Sequence, residues 1–145
     1  MDKHISSQFD NELGSVSSRV LELGGLVESQ IRHAVYALSH FSNEVADEVI
    51  AGEEKVNSME VEIDRDLSSI IARRQPTARD LRLLIAISKM TANLERVGDE
   101  AEKIARMVKA IGASGNARFL PASELRIASD WLLDCFARHW THLHV

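Results

Sequence analysis

The sequence predicts an all-α protein: an up-down-up bundle of three long helices, followed by a fourth helix that starts an incomplete second bundle. Three observations carry this. Apolar residues recur at steps of three and four through most of the 145 residues. Hydrophobic residues make up 45% of the chain and aromatics only 5%, enough for a core but unlike a β-sandwich. The two prolines, Pro76 and Pro121, lie far apart, each at a helix boundary.

The first helix is expected from about Ser6 to His40, with Phe9, Leu13, Val16, Val20, Leu23, Val27, Ile31, Ala34 and Leu38 on one seam. Gly24-Gly25 weakens its middle and permits a bend or a close helix approach. Ser42 and Asn43 are cap residues, so the second helix starts there. It repeats the pattern with Val45, Val49, Gly52, Val56, Met59, Ile63, Leu67 and Ile70, and stops at Gln75 because Pro76 disfavours helical geometry in the residue before it. Thr77-Ala78-Arg79-Asp80 reads as a capping box that opens the third helix. That helix runs to about Ile111 on a stripe of Ile87, Met90, Leu94, Val97, Ala101, Ile104 and Val108. The expected division is a three-helix bundle over 1–111, a linker over 112–120, and a fourth helix over 121–145 with Leu125, Ala128, Leu132, Cys135 and Phe136 on one face beside Trp131. With no partner helix left in the sequence to cover it, that face predicts self-association, most simply a two-fold dimer.

The acids on the second and third helices are the candidate site. Glu95 and Asp99 are four residues apart and project from one helix face, with Glu102 a turn further on. Glu60 and Asp64 repeat the Glu-x-x-x-Asp spacing one helix earlier. Such pairs repel each other by a few tenths of a kcal/mol, roughly, on a bare helix, and a cation between them removes that cost. On the helical wheel Glu60 falls roughly 50° and Asp64 roughly 90° from the apolar centre. Glu95 and Asp99 fall roughly 120–160° away and Glu102 about 100°. They share that flank with Ser88, Thr91 and Ala92, which predicts a narrow acidic groove on the outer side of the bundle. Acids on an outer face are usually just solvated, and a purely structural helical module is one reading of them. Metal binding is the other: hard oxygen ligands suit magnesium, calcium, manganese or iron. The Glu-x-x-His unit of di-iron bundles is missing, which argues against an oxygen-activating enzyme.

Other classes find less support. The net charge of −5 argues against nucleic-acid binding. A lone cysteine, Cys135, reads as a small core residue and fits a reducing compartment. No apolar run spans a bilayer and none resembles a signal peptide, so a cytoplasmic protein, peripheral to a membrane at most, is expected. Arg73, Arg74, Arg79 and Arg82 cluster at the turn between the second and third helices, as helix-terminal cations or as an anion or partner contact. His139, His142 and His144 read as a solvated tail. There is no phosphate loop and no nucleophile set.

Several stretches together resemble the PhoU family, accessory regulators of phosphate-specific transport. They are Lys3-His4-Ile5-Ser6-Ser7-Gln8-Phe9, Met59-Glu60-Val61-Glu62-Ile63-Asp64, Arg74-Gln75-Pro76-Thr77-Ala78-Arg79-Asp80-Leu81-Arg82, Ile87-Ser88-Lys89 and Leu94-Glu95-Arg96-Val97-Gly98-Asp99. The resemblance covers roughly Lys3 to Arg138. It implies two tandem three-helix bundles bearing surface metal motifs, which here would be Glu60 with Asp64 and Glu95 with Asp99. It implies a non-enzymatic negative regulator of phosphate uptake and starvation signalling, linking a phosphate ABC transporter to a sensor histidine kinase. By their oxygen-ligand chemistry, these motifs would take iron, manganese or magnesium. The sequence leaves the family pattern after Arg138, inside the first helix of the second bundle, as a truncated or frame-shifted product would. A metal-dependent enzyme using the same carboxylates, and an inactive structural remnant, are the alternatives.

Overall fold

The structure is a computed structural model. It describes residues 2–114, with side chains from 7 to 113, and near the C-terminal end residues 126, 127, 130, 131, 133, 134 and 136–138. Three long helices are packed pairwise against one another: α1 Asp2–His40, α2 Asn43–Arg74 and α3 Ala78–Ser114. No helix among the described residues is long and apolar enough to cross a membrane.

The two connections are short because both are capped. At the end of α1, Phe41 takes a left-handed conformation (φ 49°) and the Ser42 N–H donates back to the Ala37 carbonyl at 3.0 Å, closing a Schellman-type turn. The Ser42 hydroxyl then accepts from the Val45 N–H at 3.3 Å and caps α2. Gln75, also left-handed (φ 43°), ends α2 before Pro76. Thr77 opens α3: its hydroxyl donates to the Asp80 carboxylate at 3.0 Å and its carbonyl accepts from the Leu81 N–H at 2.8 Å. The Gly24-Gly25 pair leaves α1 continuous.

Each helix buries a seam that alternates steps of three and four. On α2 the buried positions are Ala46, Val49, Glu53, Val56, Ile63, Leu67 and Ile70. On α3 they are Leu84, Ile87, Thr91, Leu94, Gly98, Ala101, Ala105 and Val108. This is the 3.5-residue repeat that keeps one stripe facing its partners over a long bundle. Each large side chain on it contributes about 1.5–3 kcal/mol by leaving water.

Two features of α3 differ from the sequence expectation. Its buried stripe passes through Thr91 and Gly98, while Met90, Val97 and Ile104 are only partly buried at its margin. The stripe is therefore turned by about 50° toward the acidic flank. The cause is local: a small residue lets α2 come close, and the hydroxyl of Thr91 is satisfied by the Ile87 carbonyl at 2.9 Å. The helix also continues through Gly112, Ala113 and Ser114, where a linker was expected. There Gly112 lies against the Asn43 side chain, with room for a Cβ only 3.0 Å from its Oδ1.

Ion pairs join α1 to α2. Arg74 donates to Glu12 at 3.1 Å and to Gln8 at 3.2 Å, Arg73 donates to Glu12 at 3.2 Å, and Arg19 pairs with Asp66 and Glu62. Arg73 and Arg74 thus bind another helix rather than serving only the end of their own; Arg79 and Arg82 are exposed.

Of the expected fourth helix, the described residues are helical. Leu125, Ala128, Leu132 and Cys135 lie outside the described residues, as do His139, His142, His144 and linker positions 115–120. Phe136 is 6% exposed and joins the core of the same chain, whereas Trp131 is 64% exposed.

Candidate metal centre

Three polar side chains are buried among the described residues: Gln30, Glu53 and Thr91. Two are satisfied. Gln30 donates across the α1–α2 interface to the Val49 carbonyl at 2.7 Å, and Thr91 donates within its own helix. Glu53 is not. It is 3% exposed, and neither carboxylate oxygen has a hydrogen-bond partner. An unpaired buried carboxylate is among the costliest groups a fold can hold.

What faces Glu53 is more negative charge. Oxygen atoms of Glu53, Asp99 and Glu102 all lie within 4.8 Å of one another. With all three ionised there is no donor among them, and a hydrogen bond between Glu53 and Asp99 forms only when one holds a proton. Burial, that shared proton, and the charges of Asp99, Glu102 and Glu95 push the Glu53 carboxyl up to about 8. Glu95 is raised too, first by burial, then by a hydrogen bond with Asp99 and by the charges of Asp99 and Glu60, against an opposing pull from Arg96.

The backbone is shaped to allow this. Gly98 is buried on α3 directly against Glu53; a Cβ there would stand 3.2 Å from Glu53 Oε2 and 3.3 Å from Val56 Cγ1. A side chain at 98 would occupy the space that the carboxylate uses.

The residues singled out from sequence distribute as follows. Asp99 and Glu102 meet at the α2–α3 seam, half-buried, rather than on an outer face. Glu95 adjoins Asp99 and is within electrostatic reach of Glu60. Asp64 is exposed and belongs to no close acidic cluster among the described residues. Glu53 was not singled out, although its signal is in the sequence. The series Val49, Glu53, Val56, Glu60, Ile63, Leu67, Ile70 steps by four and three, so two acids occupy seam positions one heptad apart.

The chemistry of the trio fits a hard cation. Carboxylate oxygens bound to one ion at 2.0–2.6 Å lie within about 5 Å of each other, as these do. A cation would supply the counter-charge that both Glu53 oxygens lack.

Comparison with known proteins agrees with this architecture. The family model for the PhoU domain matches residues 20–108. A PhoU homologue from Burkholderia sp, a phosphate-specific transport system accessory protein, is 51% identical over 115 residues, covering 79% of this chain and 49% of its own length. The Escherichia coli K12 protein of that name is 50% identical over 106 residues, 73% of this chain and 44% of its own. The crystal structure of PhoU from Pseudomonas aeruginosa superposes with a TM-score of 0.79 at 41% identity, covering 90% of this chain and 65% of that one. The chain spans about half the length of the curated relatives it matches. On the match of sequence, helical architecture and domain model together, this chain belongs to the PhoU family.

Proposed function

We propose that this chain is a cation-binding, non-catalytic regulator of phosphate transport, restraining uptake and starvation signalling when phosphate is abundant. Kinship supports the phosphate part: the relatives are named as accessory proteins of phosphate-specific transport systems. The cation part is carried by one observation, the buried Glu53 carboxylate that has no donor and faces Asp99 and Glu102. Glu53, Asp99 and Glu102 hold the ion; Glu95 and Glu60 extend the negative field along the seam, and Asp64 stands at its exposed end. The metal is magnesium, manganese or iron, all of which accept oxygen donors. The protein works in the cytoplasm as a homodimer, contacting the phosphate ABC transporter and a sensor histidine kinase. Residues 1–111 are the regulatory bundle, 112–120 a link, and 121–145 the start of a second unit.

Metal analysis and host genetics test the two parts separately. Purified protein should retain manganese, iron or magnesium after desalting, and Glu95→Ala/Asp99→Ala should lose it with helical content intact. Unchanged metal in that double variant would sink the cation reading. Deleting the gene in its host should raise phosphate uptake in phosphate-rich medium. Restoration by wild type and not by Asp99→Asn would join the site to the regulation, whereas no effect of deletion would remove the regulatory reading.

A further inference from the structure

The trio has one basic group bonded to it among the described residues. Arg106 follows Glu102 by one helical turn, and its Nε and Nη2 both donate to Glu102 Oε1, at 2.9 and 2.6 Å. Neither bond uses Oε2. The Glu102 side chain is 23% exposed and that of Arg106 63%, so the guanidinium reaches the carboxylate from the solvent side. The other cations nearby make no hydrogen bond to the trio: Lys103 donates to Glu100 at 2.7 Å while also feeling the Asp99 charge, and Arg96 acts on Glu95.

We propose that Arg106 is a tethered counter-cation that competes with a bound metal for Glu102, and so sets how tightly the site holds its ion. The inference rests on the metal reading above. A guanidinium keeps its charge at any physiological pH, so it can yield Glu102 only by swinging away. An exposed i,i+4 pair is weak, so the swing is cheap and the pair acts as a brake rather than a lock. The repulsion between Arg106 and a divalent ion on the same carboxylate, in a half-solvated setting, corresponds to about a five- to tenfold loss of affinity. By reciprocity, a bound ion loosens the Arg106–Glu102 pair by the same factor and turns the guanidinium out toward solvent. Arg106 is thus a positioning residue whose location reports occupancy.

Calorimetric titration of the full chain with Mn²⁺ tests this. Arg106→Gln should bind Mn²⁺ about five- to tenfold more tightly than wild type. Arg106→Lys, which keeps the charge but loses the two-donor fork, should fall between wild type and Arg106→Gln. In a Glu102→Gln background the gain from Arg106→Gln should shrink below about twofold, because the shared carboxylate is gone. Titration with diamagnetic Mg²⁺ should move the ¹⁵N Nε signal of Arg106 toward that of free arginine, a change that a merely structural pair would not show. Weaker or equal Mn²⁺ binding by Arg106→Gln, or an Arg106 signal that stays in place as Mg²⁺ saturates the wild type, would overturn the proposal and leave the metal site standing. If wild type and Arg106→Gln both fail to take up Mn²⁺ at millimolar concentration, the metal reading falls and this inference with it.

Discussion

Replacing Glu53 with glutamine should make the metal-free chain more stable, and by an amount that depends on pH. The carboxyl is raised from 4.5 to about 8, first by burial and then by its acidic neighbours. Below pH 4.5 folded and unfolded chains both hold the proton, and the group costs nothing. Between 4.5 and about 8 the unfolded chain has released it while the folded chain keeps it, so stability falls as pH rises. Above that range the cost is constant. At pH 7 it amounts to about 3 kcal/mol, and at pH 5 to under about 1 kcal/mol. Glutamine preserves the shape, carries no charge, and brings an amide N–H₂ that can donate to Asp99. Glu53→Gln should therefore raise the melting temperature at pH 7 by about 5–10 °C for a chain of this size. The assay is urea denaturation in the presence of a chelator from pH 5 to pH 8. Wild type should weaken steadily across that range and the variant should not. Adding Mn²⁺ should reverse the order, because only the wild type gains stability from a ligand bound to its folded state. A flat wild-type profile, or a glutamine variant destabilised equally at every pH, would show that Glu53 lies in a satisfied environment and would refute the reasoning.

Three further outcomes follow from the same geometry. Gly98→Ala places a methyl 3.2 Å from Glu53 Oε2 and 3.3 Å from Val56 Cγ1. Mn²⁺ affinity should drop by at least about tenfold while folding stability changes by less than about 1 kcal/mol, because the gain in helix propensity offsets the crowding; calorimetry beside a urea titration separates the two. Gly52→Ala meets Gln30 Oε1 at 2.7 Å and Nε2 at 2.9 Å, pushing a buried amide off the Val49 carbonyl. It should cost about 1–2 kcal/mol in urea denaturation without altering Mn²⁺ affinity. Arg74→Ala removes the hydrogen bond that chiefly holds the Glu12 carboxyl below its ordinary value, with the Arg73 and Arg74 charges adding to it against burial. That contribution is present above the unfolded value of 4.5 and is lost as pH falls through the lower folded one, so the gap in urea midpoint between wild type and variant should narrow as pH is lowered below 4.5.

The helices were legible because their signals are redundant. Periodicity, the Ser42 cap, the Gln75-Pro76 stop and the Thr77–Asp80 box each point to the same boundaries, and the structure has α2 and α3 starting at Asn43 and Ala78. The C-terminal end of α3 was less legible. Gly112 reads as a linker residue from its propensity, but the helix runs through it to Ser114, with Gly112 beside the Asn43 side chain. The site was half legible. Asp99 and Glu102 announce themselves by spacing, yet the wheel turned them outward because it counted Met90, Val97 and Ile104 as the centre of the stripe. Hydrophobicity alone cannot tell that Thr91 and Gly98 mark the line of closest approach, since what they contribute is small volume rather than apolar surface. The same blindness hid Glu53. A stripe drawn through apolar residues steps over an acid, whereas the heptad arithmetic from Val49 to Ile70 lands on it.

That arithmetic also bears on how such a molecule acts. The α1–α2 side of the bundle is self-sufficient: Gln30 is bonded to α2, and Arg19, Arg73 and Arg74 bind acids across the interface. The α2–α3 side carries an uncompensated carboxylate at a seam position, opposed by acids on the facing helix. A sequence selected only for bundle stability would place an apolar side chain at 53, between Val49 and Val56, and would gain from burial what Glu53 loses by it. What Glu53 costs at this seam depends on what neutralises it: a proton up to about pH 8, or, under the proposed function, a cation that displaces that proton. Under the proposed function, a cation held there would couple its own concentration to the packing of α2 against α3 around Glu53, and would require no reacting group. In that reading occupancy would be sensed through shape, by whatever surface touches those helices, which is how the proposed regulator would act by contact.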